Sequence, residues 1–237
     1  MPGTLANYWT IYKRGTRYLR EVKHASFEEA HKLRVQTARD LISSFQITCS
    51  LDRPDALNLG RPCIYVANHS AMIDPLVLCC FFEWDVRFLA KSTLFHLPLI
   101  SGALKVERHI PVFRNSHTPE RREQLKASVA QAISEGACAF FFPEGTRTTT
   151  GELGAFKLGA FFNAVQNDVP VVPICIHGLF ELNPKTSYAI KPGHCEIHVF
   201  DPIVAPQNGS ERERAQILAD LSREMIAADL HQSKNHA

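Results

Sequence analysis

The 237-residue sequence lacks the features that mark secreted and membrane-spanning proteins. Its N-terminus has no continuous apolar core of the kind found in signal peptides. No apolar stretch approaches the ~20 residues of a transmembrane helix, because the longest candidate, residues 76–82, is broken by Glu83 and Asp85. The seven cysteines form no CxxC motif, are odd in number, and mostly lie in apolar runs. We therefore expect buried free thiols in a reducing compartment.

Basic charge is concentrated at one end of a chain whose net charge is only +2. The first 40 residues contain eight Lys or Arg and four Asp or Glu. Within residues 7–24, apolar and basic side chains fall on opposite sides of a 3.6-residue period. The apolar side holds Tyr8, Ile11, Tyr12, Tyr18, Leu19 and Val22; the basic side holds Lys13, Arg14, Arg17, Arg20 and Lys23.

This pattern is typical of a helix lying on a membrane surface. We therefore expect a peripheral membrane protein on the cytoplasmic face, with residues 7–24 in contact with the bilayer and no transmembrane segment. The alternative is a helix packed on its own domain with a solvated basic face. Nucleic acid fits less well, because the tyrosines and aliphatic residues form a stripe away from the charges.

The remaining pattern predicts an α/β fold. Ser26 and Glu29 form a capping box that opens a second helix, which ends near Phe45. We assign residues 1–46 to an N-terminal helical pair and residues 47–237 to an α/β domain. Predicted helices follow Pro75 and span residues 118–135, 156–165 and 210–230. They alternate with strand-like runs, which are ITCSL, PCIYVA, VRFLA, HIPVFR, ACAFFF, VPVVPICI and CEIHVF. The alternation predicts a mixed, largely parallel sheet flanked by helices.

The first polar loop, NHSAMIDP, follows an apolar strand. In open α/β sheets, ligands meet the loops at the carboxyl ends of strands. His69 is suited to proton transfer near neutral pH, and Asp74 can hold its other ring nitrogen and fix the tautomer. In the alternative interpretation, Asp74 is an N-cap ahead of a helix-starting Pro75, and His69 only stabilises the turn.

The second polar loop, PEGTRTTTGE, follows the apolar run ACAFFF. Gly145 permits a tight turn whose amides can face a ligand. Arg147 offers a planar, permanent positive charge suited to phosphate, and Glu144 lies beside it. Thr146 and Thr148 add hydroxyl groups. The alternative is an ordinary turn with a solvated arginine and glutamate.

Taken together, these segments resemble the conserved blocks of the glycerolipid O-acyltransferase family, which includes the 1-acyl-sn-glycerol-3-phosphate acyltransferases. The resemblance runs from about Pro62 to Gly178 in the family's order. It comprises NHSAMIDP, AKSTLFHLPLISGALK, HIPVFR, FPEGTRT, FKLGAF and VPVVPICIHG. The family's second block, which corresponds here to ERHIPVFR, departs from the usual pattern, with residues 107–109 in place of small apolar residues and Phe113 where an aspartate is common.

The resemblance implies transfer of a fatty acyl group from acyl-CoA or acyl carrier protein to the free hydroxyl of 1-acyl-glycerol 3-phosphate, giving phosphatidic acid. His69 would be the general base, and Asp74 would orient and stabilise its imidazolium form. The sequence has no Gly-x-Ser-x-Gly elbow, so we expect direct attack on the thioester without an acyl-enzyme.

The resemblance also implies a phosphate-binding site for the lysophospholipid acceptor. Arg147 is its first candidate, and Lys91 and Arg114 are further candidates. Glu144 would position the acceptor or Arg147, and Thr146 belongs to the same loop. Backbone amides around Gly145 would stabilise the tetrahedral intermediate. These motifs require no cofactor and no metal.

The sequence is compatible with several alternatives. The acceptor can be another lysolipid or glycerol 3-phosphate, or the protein can be a phospholipid-binding module without turnover. The run HCEIH would suit zinc on a helix, but it is predicted to be a strand, in which His194 and His198 would lie about 13 Å apart.

Overall fold

The computed structural model describes residues 2–97, 100–113 and 118–234. The predicted phosphate ligand Arg114 lies outside the described residues, as does the side chain of Tyr8.

The helices and strands alternate along the chain, as predicted. The helices are α1 (Pro2–Val22), α2 (Phe27–Ser44), α3 (Pro54–Leu57), α4 (Asp74–Cys79), α5 (Ile100–Val106), α6 (Pro119–Ser134), α7 (Gly159–Gln166), α8 (Leu179–Leu182) and α9 (Glu211–Lys234). The strands are β1 (Ile47–Leu51), β2 (Ile64–Ala67), β3 (Val86–Lys91), β4 (Ile110–Val112), β5 (Cys138–Phe141), β6 (Val171–His177) and β7 (Gly193–Val199). A 3₁₀ helix spans Ser92–His96. This short helix and α3, α5 and α8 carry no clear pattern in the sequence.

The seven strands form one sheet in the order β1-β7-β6-β2-β5-β3-β4. Every neighbouring pair is parallel except β6 and β7. The predicted fold class is therefore confirmed. Because β2, β3, β5 and β6 run in the same direction, the loops that follow them emerge at one edge of the sheet.

Helices cover both faces of the sheet. On one face, buried residues of α2 and α4, such as Leu41 and Leu78, pack with Tyr65 of the central strand. On the other face, Phe161 of α7 and Leu218 of α9 pack with sheet residues, as does α6. The predicted boundary between residues 46 and 47 falls between α2 and β1, and the hydrophobic core is continuous across it.

Helix α1 uses its apolar side in two ways. Tyr18 and Val22, near its C-terminal end, are buried against the rest of the protein, and this part of the helix matches the domain-packing alternative. Trp9 is 58% exposed and Tyr12 is 50% exposed. Their rings stack with centroids 5.6 Å apart. Within the described chain, no helix has both the length and the apolar character needed to span a bilayer.

A buried polar cluster fixes α1 and α2 to Glu107, the residue that follows α5. The hydroxyl of Tyr18 donates a hydrogen bond to the carboxylate of Glu107, and Arg34 of α2 forms an ion pair with the same carboxylate. Arg34 also donates to the carbonyl oxygens of Phe82 and Trp84. The departure from the family's second block at Glu107 thus has a structural reason, since this carboxylate anchors both N-terminal helices.

Candidate active site

The first polar loop begins at the carboxyl end of β2, where Asn68 holds it to β6. The side-chain amide of Asn68 donates to the carbonyl oxygen of Ile176, and its oxygen accepts from the Ile176 amide, both at 2.8 Å. Through these two bonds, the side chain of Asn68 continues the hydrogen bonding between β2 and β6 beyond the end of β2. It fixes the position from which His69 projects.

His69 and Asp74 form a hydrogen-bonded pair. Oδ2 of Asp74 lies 2.7 Å from Nδ1 of His69 and also accepts from the amides of Ser70 and Ala71, at 2.8 and 2.9 Å. Asp74 is fully buried at the start of α4, and the N-cap position belongs to Ile73. The carboxylate therefore accepts hydrogen bonds from the loop. It does not cap the helix, whereas the alternative interpretation required it to be the N-cap.

The orientation of the imidazole leaves Nε2 available for chemistry. When Nδ1–H donates to Asp74, Nε2 carries the free lone pair. The ring stacks on Phe142 with centroids 4.1 Å apart, and 12% of the His69 side chain is exposed. His69 is thus held on one side by a carboxylate and on one face by an aromatic ring, while remaining accessible.

Glu144 connects the two polar loops. Its Oε1 accepts from the amide of His69 at 2.8 Å and its Oε2 accepts from the amide of Gly154 at 2.9 Å. The amide of Thr148 donates to the carbonyl oxygen of His69 at 2.9 Å. Burial raises the pKa of Glu144, and the two amide donors oppose this rise. The carboxylate thus contacts loop backbone, whereas the sequence suggested a contact with Arg147 or with the acceptor.

Gly145 adopts a backbone conformation that favours glycine. Its φ is +74°, and its amide donates to the carbonyl oxygen of Phe142 at 2.9 Å. A Cβ atom at this position would lie 2.7 Å from Nζ of Lys157. The tight turn expected at Gly145 is therefore present, but the glycine's own amide closes the turn and does not face a ligand.

Basic side chains surround the second loop. Arg147 is half-buried, and Lys185 donates to Thr146 Oγ1 at 3.0 Å and to the carbonyl oxygen of Arg147 at 3.1 Å. Lys91 ends β3 at the same edge of the sheet and is exposed, with β5 between its strand and β2. No sequence motif contains Lys185, which lies in an irregular segment after β6 and α8.

Known proteins resemble this chain in sequence and in fold. A chloroplastic 1-acyl-sn-glycerol-3-phosphate acyltransferase of Brassica napus is 34% identical over 170 residues, which cover 72% of this chain and 47% of the relative. The Pseudomonas aeruginosa enzyme of the same name is 28% identical over 163 residues, covering 69% of this chain and 60% of the relative. This chain spans about half the length of the first of these relatives.

The fold resembles the crystal structure of the 1-acyl-sn-glycerophosphate (LPA) acyltransferase PlsC from Thermotoga maritima. The TM-score is 0.81 at 22% sequence identity, with 98% of this chain and 94% of that chain covered. A sequence profile of the family described as Acyltransferase matches residues 46–177, which include both polar loops and are more than half of the chain. The chain therefore belongs to the Acyltransferase family.

Proposed function

We propose that this protein transfers a fatty acyl group from the thioester of acyl-CoA or acyl carrier protein to the free hydroxyl of 1-acyl-glycerol 3-phosphate, giving phosphatidic acid. The observation that carries the proposal is the pair of His69 and Asp74, joined through Glu144 to the loop that contains Arg147. The relatives support the choice of acceptor, since their names state acylation of 1-acyl-glycerol 3-phosphate.

His69 acts as the general base. Nε2 takes the proton of the acceptor hydroxyl as its oxygen attacks the thioester carbonyl carbon, and Asp74 stabilises the imidazolium that forms. The tetrahedral intermediate then collapses, the carbon–sulfur bond breaks, and the imidazolium returns the proton to the thiolate. The acyl group passes directly to the acceptor, so no acyl-enzyme forms.

The second loop stabilises the charge on the intermediate. An oxyanion requires donors about 2.7–3.1 Å from the position that it occupies. Because the Gly145 amide is used within the turn, the amides of Thr146 and Arg147 are the candidates. Glu144 is a positioning residue, because its carboxylate holds this loop against the backbone of His69.

The acceptor phosphate binds to the cations beside this loop. Arg147 provides a planar guanidinium that can form two parallel hydrogen bonds with phosphate oxygens. Lys185 adds a second positive charge next to it, and Lys91 lies at the end of β3, the strand beside β5. Replacing Arg147 with alanine should mainly raise the KM for lysophosphatidic acid. An unchanged KM would refute this assignment.

The membrane surface binds the exposed part of α1. Trp9 and Tyr12 form a stacked aromatic pair, and Nζ of Lys13 lies 5.1 Å from the centroid of the Trp9 ring. This combination of aromatic and basic side chains suits the interface of an anionic bilayer. Flotation with anionic liposomes should be weakened by Trp9→Ser and Tyr12→Ser together. The matched exposed substitution Leu221→Ser on α9 should leave flotation unchanged.

Thiol release from an acyl thioester tests the reaction. The purified protein should release thiol only when lysophosphatidic acid is also present, and His69→Ala should slow this release at least ~10²-fold in protein that remains folded by circular dichroism. An acceptor panel that includes glycerol 3-phosphate and lysolipids without a phosphate monoester identifies the acceptor, and running it with each donor separates acyl-CoA from acyl carrier protein. A protein that binds the lysolipid but never releases thiol would instead be a lipid-binding module.

A further inference from the structure

A second group of chemically active side chains lies under helix α9. Cys175 and His177 are two residues apart in β6, so their side chains lie on the same face of the sheet. His198 of β7 is the direct cross-strand partner of Cys175. Asp229 of α9 reaches the same place from above the sheet. Three elements that are distant in sequence therefore bring a thiol, two imidazoles and a carboxylate together.

The distances within this group are short. Nε2 of His177 lies 2.6 Å from Oδ2 of Asp229, and Nδ1 of His198 lies 2.9 Å from the same oxygen. The potential ligand atoms of Cys175, His177 and Asp229 all lie within 4.8 Å of one another. The Cys175 thiol contacts the carbonyl oxygen of Ile226 at 3.9 Å and also interacts with the carboxylate of Asp229.

We propose that Cys175, His177 and Asp229 bind one zinc-type divalent ion. A thiolate, an imidazole and a carboxylate are donors that zinc accepts in proteins. Ligand atoms in a tetrahedral zinc site are separated by roughly 3.3–3.6 Å, so side-chain movements of about 1 Å convert the present arrangement into a coordination site. Binding requires the thiolate, and the Cys175 proton is released to solvent.

His198 supports the ligand set from outside it. Its hydrogen bond to Asp229 is the kind of contact that orients ligating carboxylates. The fourth coordination position is then filled by water.

The proposed ion would fix part of α9 next to the candidate active site. Asp229 is followed by Leu230, which lines a small cavity together with His69, Glu144 and Thr148. An ion that ties Asp229 to β6 would therefore stabilise one wall of this cavity. The ion takes no part in the acyl transfer proposed above, and its binding is measured independently of that reaction.

Metal titration of the 237-residue protein tests the site. After removal of metal by a chelator, Zn²⁺ is titrated against a chromophoric competitor and Co²⁺ binding is followed by absorption. We expect one ion per chain, a thiolate-to-cobalt charge-transfer band, and a Tm that rises with Zn²⁺. Cys175→Ser should remove the band. Asp229→Asn and His177→Gln should each weaken Zn²⁺ binding by at least roughly tenfold, since even the loss of an outer contact costs that much.

Two matched controls separate this site from other thiols and histidines. Cys49 lies with its Sγ 3.0 Å from Sγ of Cys195, so Cys49→Ser tests a competing thiol pair. His194 is half-exposed on the same strand as His198, so His194→Gln tests a surface histidine. Both variants should bind as the wild type does. The proposal is overturned if the wild type binds no ion, if Cys175→Ser and Asp229→Asn bind normally while folded by circular dichroism, or if Cys49→Ser removes the band.

Discussion

Replacing Asp74 with asparagine removes one charge from the candidate site while almost preserving the shape of the side chain. In the wild type, a single carboxylate oxygen accepts from Nδ1 of His69 and from the amides of Ser70 and Ala71. The asparagine oxygen can still accept these bonds, so the loop should keep its conformation. Since bonds to a charged group contribute about 1 kcal/mol more than neutral ones, we expect a stability loss of about 1–3 kcal/mol.

The loss in turnover should be much larger than the loss in stability. The proposed imidazolium forms only as the acceptor hydroxyl loses its proton, and the Asp74 carboxylate is fully buried next to it. A neutral amide does not stabilise that charge. Because a positioned base contributes ~10²–10⁴-fold to the rate, we expect kcat to fall by about this factor, which corresponds to ~2.7–5.5 kcal/mol.

The assay is thiol release under saturating lysophosphatidic acid, with unfolding followed separately. The KM should stay within a few-fold of the wild-type value, because Asp74 does not contact the phosphate site. Asp201→Asn is the matched control, since Asp201 is an exposed carboxylate paired with Arg53. If the folded Asp74→Asn protein retained more than about a third of the wild-type kcat, the assigned role would be refuted.

Three further predictions follow from other parts of the structure. Glu107→Ala leaves the buried Arg34 charge uncompensated and should lower the free energy of unfolding by about 3–5 kcal/mol in urea melts. Glu28→Ala, at an exposed ion pair, should leave the free energy of unfolding almost unchanged. Burial, followed by nearby arginine charges, lowers the pKa of His109 from 6.5 to about 3. Between pH 6.5 and about pH 3, the unfolded chain binds a proton at His109 that the folded chain does not. The free energy of unfolding should therefore fall as the pH drops below 6.5, by up to about 1.4 kcal/mol per pH unit. His109→Gln should flatten this profile. Lys185→Met should raise the KM for lysophosphatidic acid about fivefold with little change in kcat, and an equal rise for a lysolipid without a phosphate monoester would contradict a role in phosphate binding.

Local patterns in the sequence were sufficient for much of the fold. The capping box at Ser26 and Glu29 is present, with the Ser26 amide donating to Oε2 of Glu29 at 2.7 Å. The strand–helix alternation implied the parallel strands, and through them the shared edge at which both polar loops emerge. The hydrogen bond between His69 and Asp74 could also be anticipated, because both residues lie in one short loop.

Contacts between distant segments could not be anticipated in the same way. The hydrogen bond that Glu144 accepts from the amide of His69 depends on the relative position of two loops, which no periodicity encodes. Lys185 lies in an irregular segment without a motif, so only the folded chain shows that it contacts Arg147. The N-terminal helix was ambiguous for another reason: an apolar stripe looks the same whether it faces a bilayer or the protein, and α1 has residues of both kinds.

A double-mutant cycle between His69 and Asp74 is the most direct test of the proposed mechanism. If Asp74 acts on the reaction only through the imidazole, Asp74→Asn should slow thiol release strongly in the wild type and have no further effect in the His69→Ala background. Rates measured for the four proteins under single-turnover conditions should therefore be equal for His69→Ala and the double variant. The opposite result is a double variant that is slower than His69→Ala by the full factor by which Asp74→Asn slows the wild type. The two losses would then multiply, which would contradict a catalytic pair.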